Sequence, residues 1–179
     1  MKYYIISGEA SGDLHGSNLM KALKKQDANA EFRFWGGDLM QGEGGTLVKH
    51  YKDLAFMGFV EVVMNLKTIL NNIKVAKKDI EAYRPDAVIL IDYPGFNLRV
   101  ADFVKSLGIK VYYYISPQIW AWKTSRVHKI KKVVDKMFVI LPFEKDFYKR
   151  YDMEVDFVGH PLLDALKDKE FTPKNDFLK

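Results

Sequence analysis

Residues 87–97 read AVILIDYPGFN. Ala87 to Ile91 are apolar without alternation between faces, the pattern of a strand that helices cover on both sides. Strands of that kind lie in parallel sheets, whose crossover connections are usually helices. The run ends abruptly at Asp92, and the same grammar continues outward in both directions. Upstream, an amphipathic segment from about Gly58 to Tyr83 is stopped by Arg84-Pro85. Downstream come a helix from Leu98 to Leu107 closed by Gly108, a strand from Lys110 to Ile115 and a helix from about Ser125 to Val134. A strand from Lys136 to Ile140, a short helix from Glu144 to Tyr151 and a strand from Val155 to Val158 follow. Near the start, Tyr3 to Ile6 form a strand, and Leu14, Leu19, Met20 and Leu23 recur at helical spacing. A second strand, Glu31 to Trp35, precedes a Gly-rich loop, Gly36 to Gly45. The alternation predicts an α/β domain built on a doubly wound parallel sheet.

At 179 residues and 48% hydrophobic, with twelve Phe and ten Tyr, the chain has material for one good core. One domain is expected over residues 1–166, with a polar tail or linker over 167–179. There is no cysteine, hence no disulfide framework and no thiolate metal site, and the four histidines show no metal-ligand spacing. No signal peptide is evident, and no apolar run approaches the roughly 20 residues that span a bilayer. These features point to the cytoplasm, with any membrane contact peripheral. The net charge of +5 favours anionic partners without choosing among them.

In open sheets of this kind ligands bind beyond the carboxyl ends of the strands. The first such loop, Ser7-Gly8-Glu9-Ala10-Ser11-Gly12-Asp13, carries neither the G-x-G-x-x-G of dinucleotide folds nor the lysine of a P-loop. Its glycines permit close approach, Ser11 offers a hydroxyl and Glu9 an acceptor for sugar hydroxyls, so a polyol suits it better than a pyrophosphate. The plainer reading is that Ser11 or Asp13 caps the helix and Glu9 is solvated. Asp92, directly after a buried strand, is placed where burial raises a carboxyl's pKa and makes it a usable base; alternatively Asp92 caps a turn and Asn97 caps the next helix. Tyr112 to Lys123 is dense in aromatics, which either stack on a ligand or belong to the core. Lys123, Arg126, His128, Lys129, Lys131 and Lys132 form a basic helix face, either simply solvated or attractive to phosphate.

GEASGD at 8–13, MGFVEV at 57–62, IDYPGFN at 91–97, YYISPQIWAWK at 113–123, LPFEKDFY at 141–148 and FVGHPL at 157–162 stand in an order and spacing that resemble the lipid-A-disaccharide synthase family. The resemblance implies the N-terminal, acceptor-side Rossmann-like half of a two-domain GT-B glycosyltransferase. It implies an inverting enzyme that joins UDP-2,3-diacylglucosamine to 2,3-diacylglucosamine 1-phosphate at the cytoplasmic face of the inner membrane, without metal or cofactor and without nucleic acid. On that resemblance Asp92 is the catalytic base, and Gly8, Glu9, Ser11, Gly12, Asn97, Ser116, Gln118 and Trp122 line the substrate cleft.

Two departures accompany the match. Gly95 stands where many relatives carry a second acid, and family members are about twice as long, with the UDP-sugar site in the other half; Gly159-His160-Pro161 resembles the start of the interdomain crossing. This chain alone is therefore expected to be inactive. For the membrane, Phe59, Val62, Val63, Leu66, Ile69, Leu70, Ile73 and Ala76 make one helical stripe that a core explains. Phe56, Met57, Val60 and Met64 fall near or beyond its margin, beside Lys67, Lys74, Lys77 and Lys78, a pattern that suits an interfacial surface. Two other classes remain open on sequence: another sugar-nucleotide enzyme, such as an epimerase, and a non-enzymatic anion-binding module.

Overall fold

The computed structural model describes residues 1–54 and 66–163. In chain order the elements are β1 (Lys2–Ser7), α1 (Ala10–Gln26), β2 (Glu31–Gly36), α2 (Asp38–Gly42), β3 (Thr46–His50) and a 3-10 turn (Tyr51–Asp53). Then follow α3 (Leu66–Tyr83), β4 (Ala87–Ile91), α4 (Pro94–Ser106), β5 (Lys110–Tyr114), α5 (Ile119–Trp122), α6 (Arg126–Val133), β6 (Lys136–Val139), α7 (Glu144–Lys149) and β7 (Asp156–Phe157). The sheet order is β3-β2-β1-β4-β5-β6-β7, with every neighbouring pair parallel. Chain progression reverses between β1 and β4, so the carboxyl ends of these two central strands form the topological switch point.

All five residues of β4 are buried, as expected of a strand with cover on both faces. One face carries Tyr4, Ile6, Val88, Leu90, Val111 and Tyr113 under α3, α4 and α6; the other carries Ile5, Phe34, Ile89 and Ile91 under α1 and α2. A polar relay ties α3 to the sheet. Trp35 Nε1 donates to Tyr4 Oη (2.8 Å), Tyr4 Oη donates to Asp79 (2.7 Å), and Arg33 grips the same carboxylate through Nε and a terminal nitrogen. Each buried polar atom in that chain has a partner, which is what permits it inside a core.

Several boundaries differ from the sequence expectation. Helix α1 begins at Ala10, so Ser11, Gly12 and Asp13 are helical and none of them caps it; Glu9 holds the cap position, and its side chain accepts no backbone N–H of the helix. Helix α4 begins at Pro94, a residue suited to a first turn, and places Asn97 inside the helix rather than at its cap. The Gly-rich stretch holds α2 and the strand β3, which no apolar alternation announces, because β3 is a half-exposed edge strand. On α3, Ile73, Ala76 and Ile80 are buried, whereas Leu70, assigned to the core stripe, is 48% exposed. Lys67 and Lys74 lie on the exposed side of α3. The residues read as membrane contacts, Phe56, Met57, Val60 and Met64, lie outside the described residues, as do Phe59, Val62 and Val63.

Candidate active site

Ser7 pairs with Ile91 at the last register of β1 and β4, so Gly8-Glu9 and Asp92-Tyr93 leave the sheet side by side at the switch point. The glycines there serve close packing. A Cβ on Gly8 would lie 2.5 Å from the Tyr93 ring, and one on Gly12 would lie 2.4 Å from Ser7 Oγ. Tyr93 in turn stacks on Phe96, with ring centroids 5.3 Å apart. Gly8 and Gly12 are thus in contact with protein side chains that fill the space a Cβ would need. Glu9 and Ser11 are exposed and paired, Ser11 Oγ donating to Glu9 Oε1 at 2.6 Å.

Asp92 and Tyr93 both adopt the left-handed region, with φ of 41° and 46°. Two successive non-glycine residues there are costly and persist only when their surroundings fix them. Asn97, fully buried, donates from Nδ2 to the carbonyls of Ile91 (3.2 Å) and Asp92 (2.8 Å), and Tyr113 Oη donates to the same Asp92 carbonyl. Asn97 therefore works from behind the loop, as a brace. Burial pushes the Asp92 carboxyl up to about 6, the negative charge of Glu9 adds to the rise, and the Tyr93 N–H opposes it. A half-buried carboxyl with that proton affinity can take up a proton from a hydroxyl near neutral pH.

The remaining expected site residues sit less directly. Ser116 is buried, and its Oγ pairs with Tyr148 Oη at 2.8 Å inside the core instead of facing the crevice. Gln118 is exposed at the start of α5, whose last residue is Trp122. The side chain of Trp122 lies outside what the structure describes.

Three contributors escaped the sequence reading. Tyr113 looked like one of a run of core tyrosines; its ring is core, but its hydroxyl holds the Asp92 backbone. Asp13 looked like a helix cap; it is buried, and its carboxylate accepts the N–H groups of Gly37 (2.7 Å), Leu39 (3.1 Å) and Met40 (3.0 Å). His15 is buried on α1 with Nδ1 unpartnered among the described residues, and its pKa is lowered by burial and then by the charge of His160. Among the described residues no group of three or more His, Cys, Asp or Glu is placed to hold a metal, and no helix is long and apolar enough to cross a membrane.

A seven-stranded parallel sheet with an acid at its switch point defines the class: a Rossmann-like half of the GT-B architecture. Solved structures share that fold. A Neisseria meningitidis UDP-GlcNAc 2-epimerase bound to UDP-GlcNAc superposes with a TM-score of 0.67 over 93% of this chain and 48% of its own, at 12% identity. Acinetobacter baumannii MurG superposes with a TM-score of 0.52 over 79% of this chain and 41% of its own, at 12% identity. The family model described as lipid-A-disaccharide synthetase matches residues 3–177. Lipid-A-disaccharide synthases of Geobacter metallireducens and Syntrophus aciditrophicus are 48% and 46% identical over 90% and 91% of this chain. The chain belongs to the lipid-A-disaccharide synthase family. It spans 42% and 43% of the length of those two relatives.

Proposed function

We propose that this chain is the acceptor-side half of an inverting hexosyltransferase that joins UDP-2,3-diacylglucosamine to 2,3-diacylglucosamine 1-phosphate, giving the β-1,6-linked lipid A disaccharide and UDP. Residues 1–166 form the N-terminal domain on this reading, and 167–179 lead toward a UDP-sugar-binding half. The observation that carries it is Asp92: a half-buried carboxyl with a pKa of about 6 at the switch point, its backbone braced by Asn97 and Tyr113. The acceptor 6-hydroxyl oxygen attacks the anomeric carbon of the UDP-sugar from the face opposite the diphosphate. Asp92 takes the hydroxyl proton as the new C–O bond forms, and the bond to the diphosphate breaks with its electron pair leaving on UDP. Glu9 and Ser11, exposed beside Asp92, are placed to exchange hydrogen bonds with sugar hydroxyls, and Gln118 stands on the next loop along the sheet.

The diacylated substrates call for a peripheral membrane position at the cytoplasmic face of the inner membrane. The row Lys67, Lys74 and Lys78 on the outer side of α3 supports it, flanked by Leu70 and Val75, 48% and 41% exposed. Lys77 is turned away from that row, its ammonium 5.4 Å from the Phe103 ring centre. An epimerase reading rests on fold alone and is outweighed by the family match. The test is Asp92→Asn in the full-length protein, assayed for disaccharide formation. Turnover should fall at least about a hundredfold with folding intact; near-normal turnover removes Asp92 from the mechanism.

A further inference from the structure

The two peptide planes on either side of the Asp92 Cα set the direction in which its carboxyl leaves the chain. One residue holds both. Asn97, in the first turn of α4, donates from Nδ2 to the Ile91 carbonyl in the plane before that Cα (3.2 Å) and to the Asp92 carbonyl in the plane after it (2.8 Å). Its backbone N–H takes the next carbonyl, that of Tyr93, at 3.0 Å. Three successive carbonyls are thus gathered by a single residue. Tyr113 adds a donor from a different element. It stands opposite Leu90 in the β4–β5 register, on the same face of the sheet, and its hydroxyl reaches past the strand end to the Asp92 carbonyl. Both side chains are fully buried. The amide of Asn97 is specific to the task. The two carbonyls can only accept, and at that position an NH2 group offers both donors. The other end of the amide, Oδ1, is buried with no partner among the described residues, a cost that native cores seldom carry without a reason. Asp92 and Tyr93 meanwhile hold φ of 41° and 46°, and neither is a glycine, for which that backbone is free of strain. Released from those donors, the loop would relax, turn the carboxyl away and let water reach it.

We propose that Asn97 and Tyr113 are positioning residues of the transfer reaction: by fixing the peptide planes around the Asp92 Cα they aim its carboxyl into the crevice, and the base works only while both donors are in place. This rests on the acceptor-side reading above and adds the two residues through which Asp92 becomes a base. Being buried, they act through Asp92 and not on the substrate.

The measurement is disaccharide formation by the full-length protein across a pH series, with Tyr113→Phe as the first variant because it removes one oxygen and keeps the ring in the core. Its kcat should fall at least about tenfold while the acceptor KM stays within about twofold. The pH midpoint of kcat/KM, expected at about 6 in the parent, should move to lower pH, because water admitted to the carboxyl lowers its proton affinity toward the ordinary carboxylate value. A side chain that served folding alone would reduce the active fraction and leave that midpoint where it was. Asn97→Leu, similar in size and without the unpartnered oxygen, should move kcat and the midpoint in the same directions; should it fail to fold, Tyr113→Phe decides. If Tyr113→Phe keeps kcat within about twofold, or loses it with the midpoint unmoved, while Asp92→Asn is inactive, the positioning role is wrong and Asp92 remains the base. If Asp92→Asn turns over at a near-normal rate, the acceptor-side reading falls and takes the proposal with it.

Discussion

Asp92 combines a raised proton affinity with a left-handed backbone at one position. Its pKa of about 6 lies above the ordinary carboxylate value of 3.8, so the folded state holds the proton more tightly than the unfolded state does. Stability from this group is therefore greatest at low pH and declines as pH rises between about 4 and 6, while the base form exists only above that window. Asp92→Asn abolishes the cost of burying the charge. Asparagine also tolerates the left-handed φ of 41°. The variant should unfold at higher denaturant than the parent at pH 8, by on the order of 1–3 kcal/mol, and the gap should close toward pH 4; a gap independent of pH would show that Asp92 is not shifted. In the full-length protein, kcat/KM should fall about tenfold per pH unit below 6. At a neighbouring residue, Gly12→Ala forces a Cβ to within 2.4 Å of Ser7 Oγ, and it should lower both the melting temperature and turnover.

Helix α1 is the element that fixes the crevice, and it does so through Asp13. The same turn that bears Glu9 and Ser11 on the open side carries a buried carboxylate on the other, bound to three N–H groups at the start of α2. Asp13→Ala leaves those donors unpaired and should cost about 2–3 kcal/mol in chemical denaturation. Ser11→Ala, at an exposed position, should stay within about 0.5 kcal/mol. Helix α3 offers a parallel contrast. Ile73→Ala should cost about 2–4 kcal/mol because the side chain is buried against the sheet. Leu70→Ser should stay within about 0.5 kcal/mol, since its side chain is half in water; equal losses at the two positions would contradict the phase of the helix.

For the molecule as a whole, the first loop and the acid beside it predict that the crevice does not take coenzymes of the ordinary doubly wound kind. The first loop lies against the Tyr93 ring at Gly8, and the N-terminal end of α1, where a pyrophosphate would dock, carries the exposed carboxylate of Glu9. Calorimetric titration of the chain with NAD(H) or ATP should give no specific binding, and micromolar affinity for either would overturn this account of the loop.

The strand-and-helix alternation, the apolar run of β4, the missing phosphate fingerprints and the place of Asp92 directly after β4 were all legible in the sequence, because each rests on local pattern and on which residue types lie adjacent. Strand β3 was not, since an edge strand with half-exposed residues carries no apolar period. The start of α4 was misplaced for a related reason: Pro94 both ends what precedes it and opens a helix, and only the chain's path shows which. The division of labour around Asp92 depended wholly on the tertiary structure. Asn97, Tyr113, Asp13 and Ser116 are polar residues whose hydrogen-bonding partners lie on other elements or on the turn of the chain back over itself. A sequence shows which side chains can donate or accept; which partner each one meets is decided only when strands β1, β4 and β5 align and bring their loops together.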